Sequence, residues 1–309
     1  MISSLVFTML VSSFAQAPKP DASALLAPGA TLEKLWGEGS FTEGGALDKD
    51  GGILFSDIGD RIMRFDPATK AVTVFRDPSG RANGLIFDPA GRLIAAEGAN
   101  TGGGRRVSVT ETDGKVRTLA DSFEGKRFNS PNDVAVDKSG RVYMSDPRYV
   151  GDEPRELDFE GVFRIDPDGK VTRLNTSAKK PNGLVVSPDG KTLYVADNGP
   201  RGRSLIALDL SPTGDVSNPR VLHDFDKDRG IDGMTITVDG KVVAAAGPAN
   251  TGGVYVFSPE GKVLGIIPVP ESPTNVEFGA DGSTLYVTAG KSLYRVKTTL
   301  KGYHVGASR

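Results

Sequence analysis

The sequence predicts an all-β fold, a six-bladed β-propeller with four-stranded blades, and a repeat along the chain is the reason. A turn of the Asp-Gly type or a close variant, followed by an apolar strand, occurs six times in the 309 residues. The glycines of these turns, beginning at Gly51, follow one another at intervals of 40, 49, 50, 50 and 42 residues. A unit of this length with several short strands is typical of a propeller blade. A seven-bladed ring or a β-sandwich is the alternative, but six repeats without a gap favour six blades.

The third repeat shows the order of strands that we expect in each blade. An alternating strand at 134–137 leads into the turn at Gly140 and then into a second apolar strand, and two strands joined by such a turn form a β-hairpin. A third strand follows at 162–166, and after a Pro-Asp-Gly turn a fourth follows at 171–174. Four strands per repeat are therefore predicted.

The two ends of the propeller domain, predicted at 31–309, are expected to meet in one blade. The last repeat supplies strands only near Val276, Leu285 and Leu293, whereas residues 32–36 precede the first repeat and have no other assignment. If 32–36 form the outer strand of the last blade, the ring closes and no long sheet edge is left exposed.

The first 30 residues are predicted to lie outside the propeller. Residues 1–17 form an apolar stretch that ends in Ala15-Gln16-Ala17, which is typical of a cleaved signal peptide, and they are too few to span a bilayer as a mature helix. We therefore expect a periplasmic or secreted protein without a membrane anchor after cleavage. Residues 18–30 are predicted to be a linker.

The composition restricts the chemistry. Cysteine is absent and only two histidines occur, His223 and His304, so thiolate nucleophiles, thiolate zinc sites and multi-histidine metal sites are excluded or nearly so. A metal must be held mainly by oxygen atoms, which favours a hard cation. The net charge of −2 gives no electrostatic basis for binding nucleic acid.

A polar residue stands immediately before the first strand of each repeat, where a propeller strand enters the central channel. All six carry a side-chain carbonyl or carboxylate oxygen, and they are Glu43, Asn83, Asn132, Asn182, Asp232 and Asn275. We call this set the ring residues. Asparagine and aspartate also precede strands because they form local turns, which is the alternative at any one position. Glutamate is poor at such turns, so Glu43 argues for a metal in the channel. Two carboxylates with several amide oxygens favour Ca²⁺, with Mg²⁺, Mn²⁺ and Zn²⁺ as alternatives.

Around these residues the sequence resembles the SMP-30/gluconolactonase family, in its bacterial gluconolactonase-like branch. The segments that carry the resemblance are 81–85, 105–107, 123–133, 145–147, 181–184 and 231–234. The resemblance covers nearly the whole chain after residue 17, and it implies a six-bladed propeller with one central divalent cation and lactone-hydrolysing activity.

The resemblance also implies roles for single residues. Glu43, Asn132, Asn182 and Asp232 match the family's metal ligands, and Asp232 also matches its general base or nucleophile. Asn83 matches a position that faces the substrate, and the resemblance assigns no role to Asn275. The sequence departs from the family's usual pattern at 95–100 and at 146–150, which puts the identity of the substrate in doubt.

The expected reaction is the hydrolysis of a small ester, most plausibly a sugar lactone, with the cation as Lewis acid and Asp232 as base or nucleophile. We expect Arg106, Arg148 and Tyr149 to position sugar hydroxyls or to stabilise the developing oxyanion. An arylesterase-like or phosphotriesterase-like hydrolase is one alternative. A non-enzymatic propeller whose metal only holds the blades together is another, because fold alone does not decide function.

Overall fold

The six-bladed propeller is confirmed by the computed structural model of the protein, which describes residues 21–100, 102–200, 202–247 and 251–306. The predicted signal peptide, 1–17, and the first three residues of the predicted linker lie outside the described residues. No helix among the described residues is long and apolar enough to span a membrane.

Each blade is an antiparallel sheet of four strands, which follow one another from the channel outwards. Blade 1 has β2 (Thr42–Leu47), β3 (Ile53–Asp57), β4 (Arg61–Phe65) and β5 (Val72–Arg76), and blade 2 has β6 (Ala82–Phe87), β7 (Leu93–Glu97), β8 (Arg106–Thr110) and β9 (Val116–Ala120). After a small hairpin of β10 (Ser122–Phe123) and β11 (Lys126–Arg127), blade 3 has β12 (Val134–Val136), β13 (Val142–Asp146), β14 (Gly161–Ile165) and β15 (Val171–Leu174). Blade 4 has β16 (Pro181–Val186), β17 (Thr192–Asp197), β18 (Ser204–Leu210) and β19 (Val216–Asp224), and blade 5 has β20 (Ile231–Ile236), β21 (Val242–Ala246), β22 (Gly253–Phe257) and β23 (Val263–Pro268).

Blade 6 is built from both ends of the propeller, as the sequence predicts. Its inner three strands are β24 (Pro273–Phe278), β25 (Thr284–Ala289) and β26 (Ser292–Lys297), and its outer strand is β1 (Glu33–Trp36). β1 pairs antiparallel with β26, with Glu33 opposite Arg295, and the Glu33 carboxylate lies 2.8 Å from Nε of Arg295. This pairing closes the ring and covers the outer edge of β26.

Part of the predicted linker at 18–30 contacts the propeller in the described residues. Residues Ser23–Leu25 form a short 3₁₀ turn, Leu26 makes an isolated β-bridge with Thr298, and Leu25 is buried in the apolar cluster between blades 5 and 6. The reason is that the face of blade 6 would otherwise expose apolar side chains, which these leucines cover. The segment is thus packed against the propeller.

The apolar core is divided into six clusters in the described part of the chain, one between each pair of adjacent blades. The cluster between blades 2 and 3, for example, contains Phe128 and Phe163, both fully buried, with ring centroids 5.2 Å apart. The inner strands contact one another around the ring, and β24 contacts β2. The axis of the molecule is therefore a channel lined by inner strands, and this is where the polar ring residues lie.

Candidate active site at the channel mouth

The inner strands are irregular where they carry the ring residues. In five blades the pairing of the inner strand with its neighbour shifts by a bulge just around the ring residue, between Glu43 and Ala46, Ala82 and Leu85, Pro181 and Leu184, Ile231 and Met234, and Pro273 and Asn275. A bulge inserts an unpaired residue and redirects a side chain. The repeated irregularity explains how polar side chains leave the apolar sheet and face the channel.

Glycines beside the ring residues allow the inner strands to approach closely. A Cβ added at Gly183 would lie 2.2 Å from the carbonyl oxygen of Asp232, and one at Gly233 would lie 2.2 Å from the side-chain carbon of Asn275. Neither glycine has a positive φ, so the requirement at these positions is for space. The Asn-Gly and Asp-Gly pairs at these points in the sequence thus bring each ring residue next to the following blade.

A cavity of about 720 Å³ opens at the ring-residue end of the channel. Five of the six ring residues line it, namely Glu43, Asn83, Asn132, Asn182 and Asp232. Asn275 is the exception. Its Oδ1 accepts a hydrogen bond of 2.8 Å from the amide of Val276, and the residue lines a smaller cavity of about 100 Å³ further along the axis.

The carboxyl groups of Glu43 and Asp232 form a buried pair at the base of the larger cavity. They lie in hydrogen-bonding contact with each other, and Nδ2 of Asn182 donates a bond of 2.9 Å to Oδ1 of Asp232. Burial raises the pKa of Glu43 well above its usual value, and the nearby charge of Asp232 raises it further. Burial also raises the pKa of Asp232, against the opposing influence of the Arg229 guanidinium. Two such groups do not ionise together unless positive charge is placed beside them.

Arg229 supplies part of that charge, and the repeat pattern of the sequence did not point to it. Nη2 of Arg229 pairs with Oδ2 of Asp232, while Nη1 donates to the backbone carbonyls of Gly247 at 3.1 Å and Pro273 at 2.7 Å. The guanidinium is thereby fixed between blades 5 and 6, and it orients the Asp232 carboxylate.

The donor chemistry of this site fits a hard divalent cation. Two carboxyl groups and the side-chain amides of Asn132 and Asn182 line one cavity, and oxygen ligands of these types are those that Ca²⁺ prefers. The described residues contain no cluster of three or more His, Cys, Asp or Glu side chains placed to hold a metal, so amide oxygens must complete any such site. On binding, the carboxyl oxygens of Glu43 and Asp232 would give up their contact with each other and contact the cation instead.

Tyr149 lines the same cavity, whereas the two arginines that were predicted to act with it do not. The Tyr149 hydroxyl lies beside the side-chain amide of Asn182, and Nζ of Lys180 lies 4.5 Å from the centroid of the tyrosine ring. The ring is half exposed while the hydroxyl points inwards, which leaves Tyr149 free to contact a ligand from the wall.

Arg106 and Arg148 are held away from the cavity by other groups. Nε of Arg106 donates 2.6 Å to the fully buried carboxylate of Glu97. Both terminal nitrogens of Arg148 donate to backbone carbonyls, including that of Asn129 at 2.7 Å. In this structure Arg106 neutralises a buried carboxylate and Arg148 braces the loop after β13, so neither lines the cavity, and their contact with substrate stays a prediction.

Other residues that line the cavity were not predicted either. Asn198 donates 2.8 Å to the carbonyl of Ile231, and its side chain lies within hydrogen-bonding reach of the Tyr149 hydroxyl. Arg81 and Lys180 each stand two positions before a ring residue, and Ser130 and Phe41 stand at the equivalent positions of two other blades. Side chains two positions apart in a strand lie on the same face. This spacing could therefore have predicted that these residues line the cavity with the ring residues.

The opposite end of the channel is covered by the chain after the last blade. The amide of Tyr303 donates 2.9 Å to the carbonyl of Ile236, and Tyr303, His304 and Val305 line the smaller cavity. Nδ1 of His304 lies 3.6 Å from the carboxyl group of Glu277, which is buried in the same place. Access to the ring residues is therefore from the mouth.

Comparisons with known proteins agree with this geometry. A sequence profile of the SMP-30/gluconolactonase/LRE-like region matches residues 37–291. A gluconolactonase of Zymomonas mobilis is 32% identical over 92% of this chain and 85% of its own length, and a regucalcin of Xenopus laevis is 32% identical over 78% of this chain and 80% of its own. The solved structure of a gluconolactonase from Xanthomonas campestris superposes with a TM-score of 0.81 at 28% identity, covering 92% of this chain and 96% of the other.

Proposed function

The chain belongs to the SMP-30/gluconolactonase/LRE-like family, and from this membership together with the buried carboxyl pair we infer that it is an enzyme that hydrolyses a sugar lactone with the help of a divalent cation at the channel mouth. The observation that carries the inference is the contact of Glu43 with Asp232 at the base of an open, polar cavity. The open cavity above this pair gives a small substrate access to it, which a metal that only held the blades together would not require.

Glu43, Asp232 and the amide oxygens of Asn132 and Asn182 would hold the cation. Four oxygen donors, two of them acidic, favour Ca²⁺ over the smaller Mg²⁺, which demands stricter octahedral geometry. The name of the regucalcin relative is consistent with calcium. When bound, such a cation would polarise the carbonyl group of the lactone and stabilise negative charge on its oxygen.

Asp232 is the best-placed base. Its carboxylate is kept oriented by Arg229 on one oxygen and by Asn182 on the other. In its ionised form it accepts a proton from a water molecule, the water oxygen bonds to the carbonyl carbon, and the ring C–O bond breaks as the ring oxygen takes up a proton. Direct attack by Asp232 to form an acyl intermediate is the other route that this position allows.

The walls of the cavity suit a polyhydroxylated substrate. Asn83, Tyr149 and Asn198 all line it. The Tyr149 hydroxyl lies within hydrogen-bonding reach of the Asn198 side chain, and sugar hydroxyls, which both donate and accept, can hydrogen-bond to both groups. Apolar residues between them, such as Phe41 and Ile58, match the less polar faces of a sugar ring.

The test is acid release from glucono-δ-lactone, followed with a pH indicator, by protein treated with chelator and then supplied separately with Ca²⁺, Mg²⁺, Mn²⁺ or Zn²⁺. We expect chelator to stop turnover and one of the cations to restore it. D232N should lower kcat/KM by about 100-fold to 10,000-fold, the usual contribution of a general base. Asp228 is an exposed carboxylate outside the cavity, so D228N is the matched control and should behave as the wild type.

Other outcomes would redirect the proposal. Near-normal hydrolysis by D232N would remove Asp232 from its role. A folded protein without turnover on any lactone, aryl ester or phosphotriester would support a binding module, and turnover of the phosphotriester alone would support the alternative hydrolase.

A further inference from the structure

Positive charge is concentrated around the mouth of the cavity that carries the ring residues. Among the described residues, four basic side chains line this cavity, from Arg81, Lys180, Arg203 and Arg229, and two acidic ones, from Glu43 and Asp232, lie at its base. Arg229 is neutralised by Asp232. The other three, which we call the basic rim, remain to be accounted for.

None of the basic rim residues is in an ion pair with a carboxylate among the described residues. Nε of Arg81 donates 3.1 Å to the carbonyl of Ala99, and Nη1 of Arg203 donates 3.1 Å to the carbonyl of Lys227. Nζ of Lys180 lies over the ring of Tyr149. These contacts fix the side chains in place but leave their full charges uncompensated.

The rim differs in this respect from the arginines that serve the fold. Arg64, Arg92 and Arg141 each pair with an aspartate in a blade hairpin, at 2.6 to 2.7 Å, so the charges of these hairpin arginines are compensated by carboxylates. Asp224, Asp226 and Asp228, at the end of β19 and just after it, line a separate surface depression and are not among the residues that line the cavity. These three aspartates therefore do not compensate the charges of the basic rim.

The walls between rim and base strengthen the effect of these charges. Phe41, Ile58, Ala99, Val150 and Ile231 line the cavity, and apolar walls of low polarisability concentrate the field of charges around a cleft. A guanidinium presents a planar pair of donors that matches a carboxylate or phosphate, and an ammonium adds a point charge. A neutral sugar lactone has no negative group that could pair with these basic side chains.

We propose that the substrate is an anionic sugar lactone, whose ring reacts at Glu43 and Asp232 while a carboxylate or phosphate at its other end binds the basic rim. This proposal rests on the lactonase function and specifies its substrate class. The reaction stays the same: water adds to the carbonyl carbon, the ring C–O bond breaks, and an acid with one more negative charge is released.

The experiment compares kcat/KM for three lactones on the cation-loaded protein. Glucono-δ-lactone is neutral, glucaro-1,4-lactone keeps a free carboxylate, and 6-phosphoglucono-δ-lactone carries a phosphate. We expect one of the anionic lactones to be preferred over the neutral one by at least about tenfold at low ionic strength. The preference should shrink severalfold between about 10 mM and 300 mM salt, because the Debye length falls from about 30 Å to less than about 8 Å over this range.

Two variants of Lys180 test whether the preference for anionic lactones comes from the charge at the rim or from the overall charge of the protein. K180M should lower the ratio of anionic to neutral kcat/KM about tenfold, chiefly through KM for the anionic lactone, and K180E should lower it further. Lys179 is an exposed neighbour outside the cavity, so K179M is the matched control and should keep the wild-type ratio.

The outcomes are distinguishable. Hydrolysis of neutral and anionic lactones with equal efficiency, with no effect of salt and equal ratios in K180M and K179M, would overturn the basic rim as the specificity element while leaving the lactonase function intact. Hydrolysis of none of the three would overturn the lactonase function, and the proposed substrate class with it.

Discussion

Four carboxyl side chains, those of Glu43, Asp133, Asp232 and Glu277, are buried along the channel, and burial raises the pKa of each. The two at the mouth touch each other beside Arg229, in a cavity open to ligands. The two deeper ones have no arginine or lysine partner within the described residues. The proposed cation would thus be held by the carboxyl groups at the mouth, whereas burial favours the protonated form of the two deeper ones.

Glu277 allows a pH-dependent test of this difference. Burial raises its pKa to about 8, and Phe278 and Thr235 are its donors, with His304 at 3.6 Å. Because the folded pKa lies above the unfolded value, stability is full below pH ~4.5 and is lost as pH rises towards 8. E277Q carries no such charge, so at pH 8 we expect it to exceed the wild type in free energy of unfolding by on the order of 2 kcal/mol, and to differ little at pH 5.

Urea unfolding at the two pH values measures this effect. Glu260 is an exposed glutamate on a turn of blade 5, so E260Q is the matched control and should follow the wild type. An E277Q protein with the same loss of stability between pH 5 and pH 8 as the wild type would show that Glu277 is not the titrating group.

At the residue scale the spacing of the repeats predicted which positions face the channel mouth but not which charged side chains reach it. Five of the six ring residues line one cavity because their positions follow from the backbone of each blade. Arg106 and Arg148 have different destinations because long side chains turn to whichever acceptors are buried nearby, in this fold Glu97 and the carbonyl of Asn129. Those acceptors are set by tertiary packing, which a sequence does not display.

At the scale of the element, the bulged inner strand followed by glycine is the device that builds the site. The glycine lets one blade's backbone lie against the next blade's ring residue, as at Gly183, where a Cβ would lie 2.2 Å from the Asp232 carbonyl oxygen. The atom that an added methyl group would meet belongs to the backbone, which cannot rotate away as a side chain can. We expect G183A to lower the free energy of unfolding by about 1–3 kcal/mol, the usual cost of overpacking.

Urea unfolding of G183A beside G202A tests the steric argument. At Gly202 an added Cβ would have its nearest neighbour 4.0 Å away, and this glycine also lacks a positive φ, so G202A should differ little from the wild type. Equal stability of the two variants would mean that blades 4 and 5 can move apart at no cost.

The elements were predicted more completely than their packing. The strands at 162–166 and 171–174 occur at Gly161–Ile165 and Val171–Leu174, because alternation and turn residues specify them locally. The segment at 18–30 was predicted to be a linker. Its Leu25 is nevertheless buried, since the outer face of blade 6 provides an apolar surface that only the assembled ring creates.

At the scale of the whole molecule, closure turns six weak local patterns into one site. β1 and β26 join the two ends of the propeller, and β24 contacts β2, so Glu43 of blade 1 and Asp232 of blade 5 face each other across the mouth. The two residues are 189 positions apart in sequence, and no local feature relates them. The proposed cation site, and with it the proposed hydrolase, therefore depends on the complete ring.

The most direct test is calorimetric titration of Ca²⁺ into chelator-stripped protein, compared with an E43Q/D232N double variant that keeps similar shape and loses both charges. We expect the wild type to bind one ion per chain, the double variant to bind none at the same concentrations, and D228N to match the wild type. Equal stoichiometry and affinity in the wild type and the double variant would show that any bound cation lies elsewhere, and would contradict a cation site built on Glu43 and Asp232.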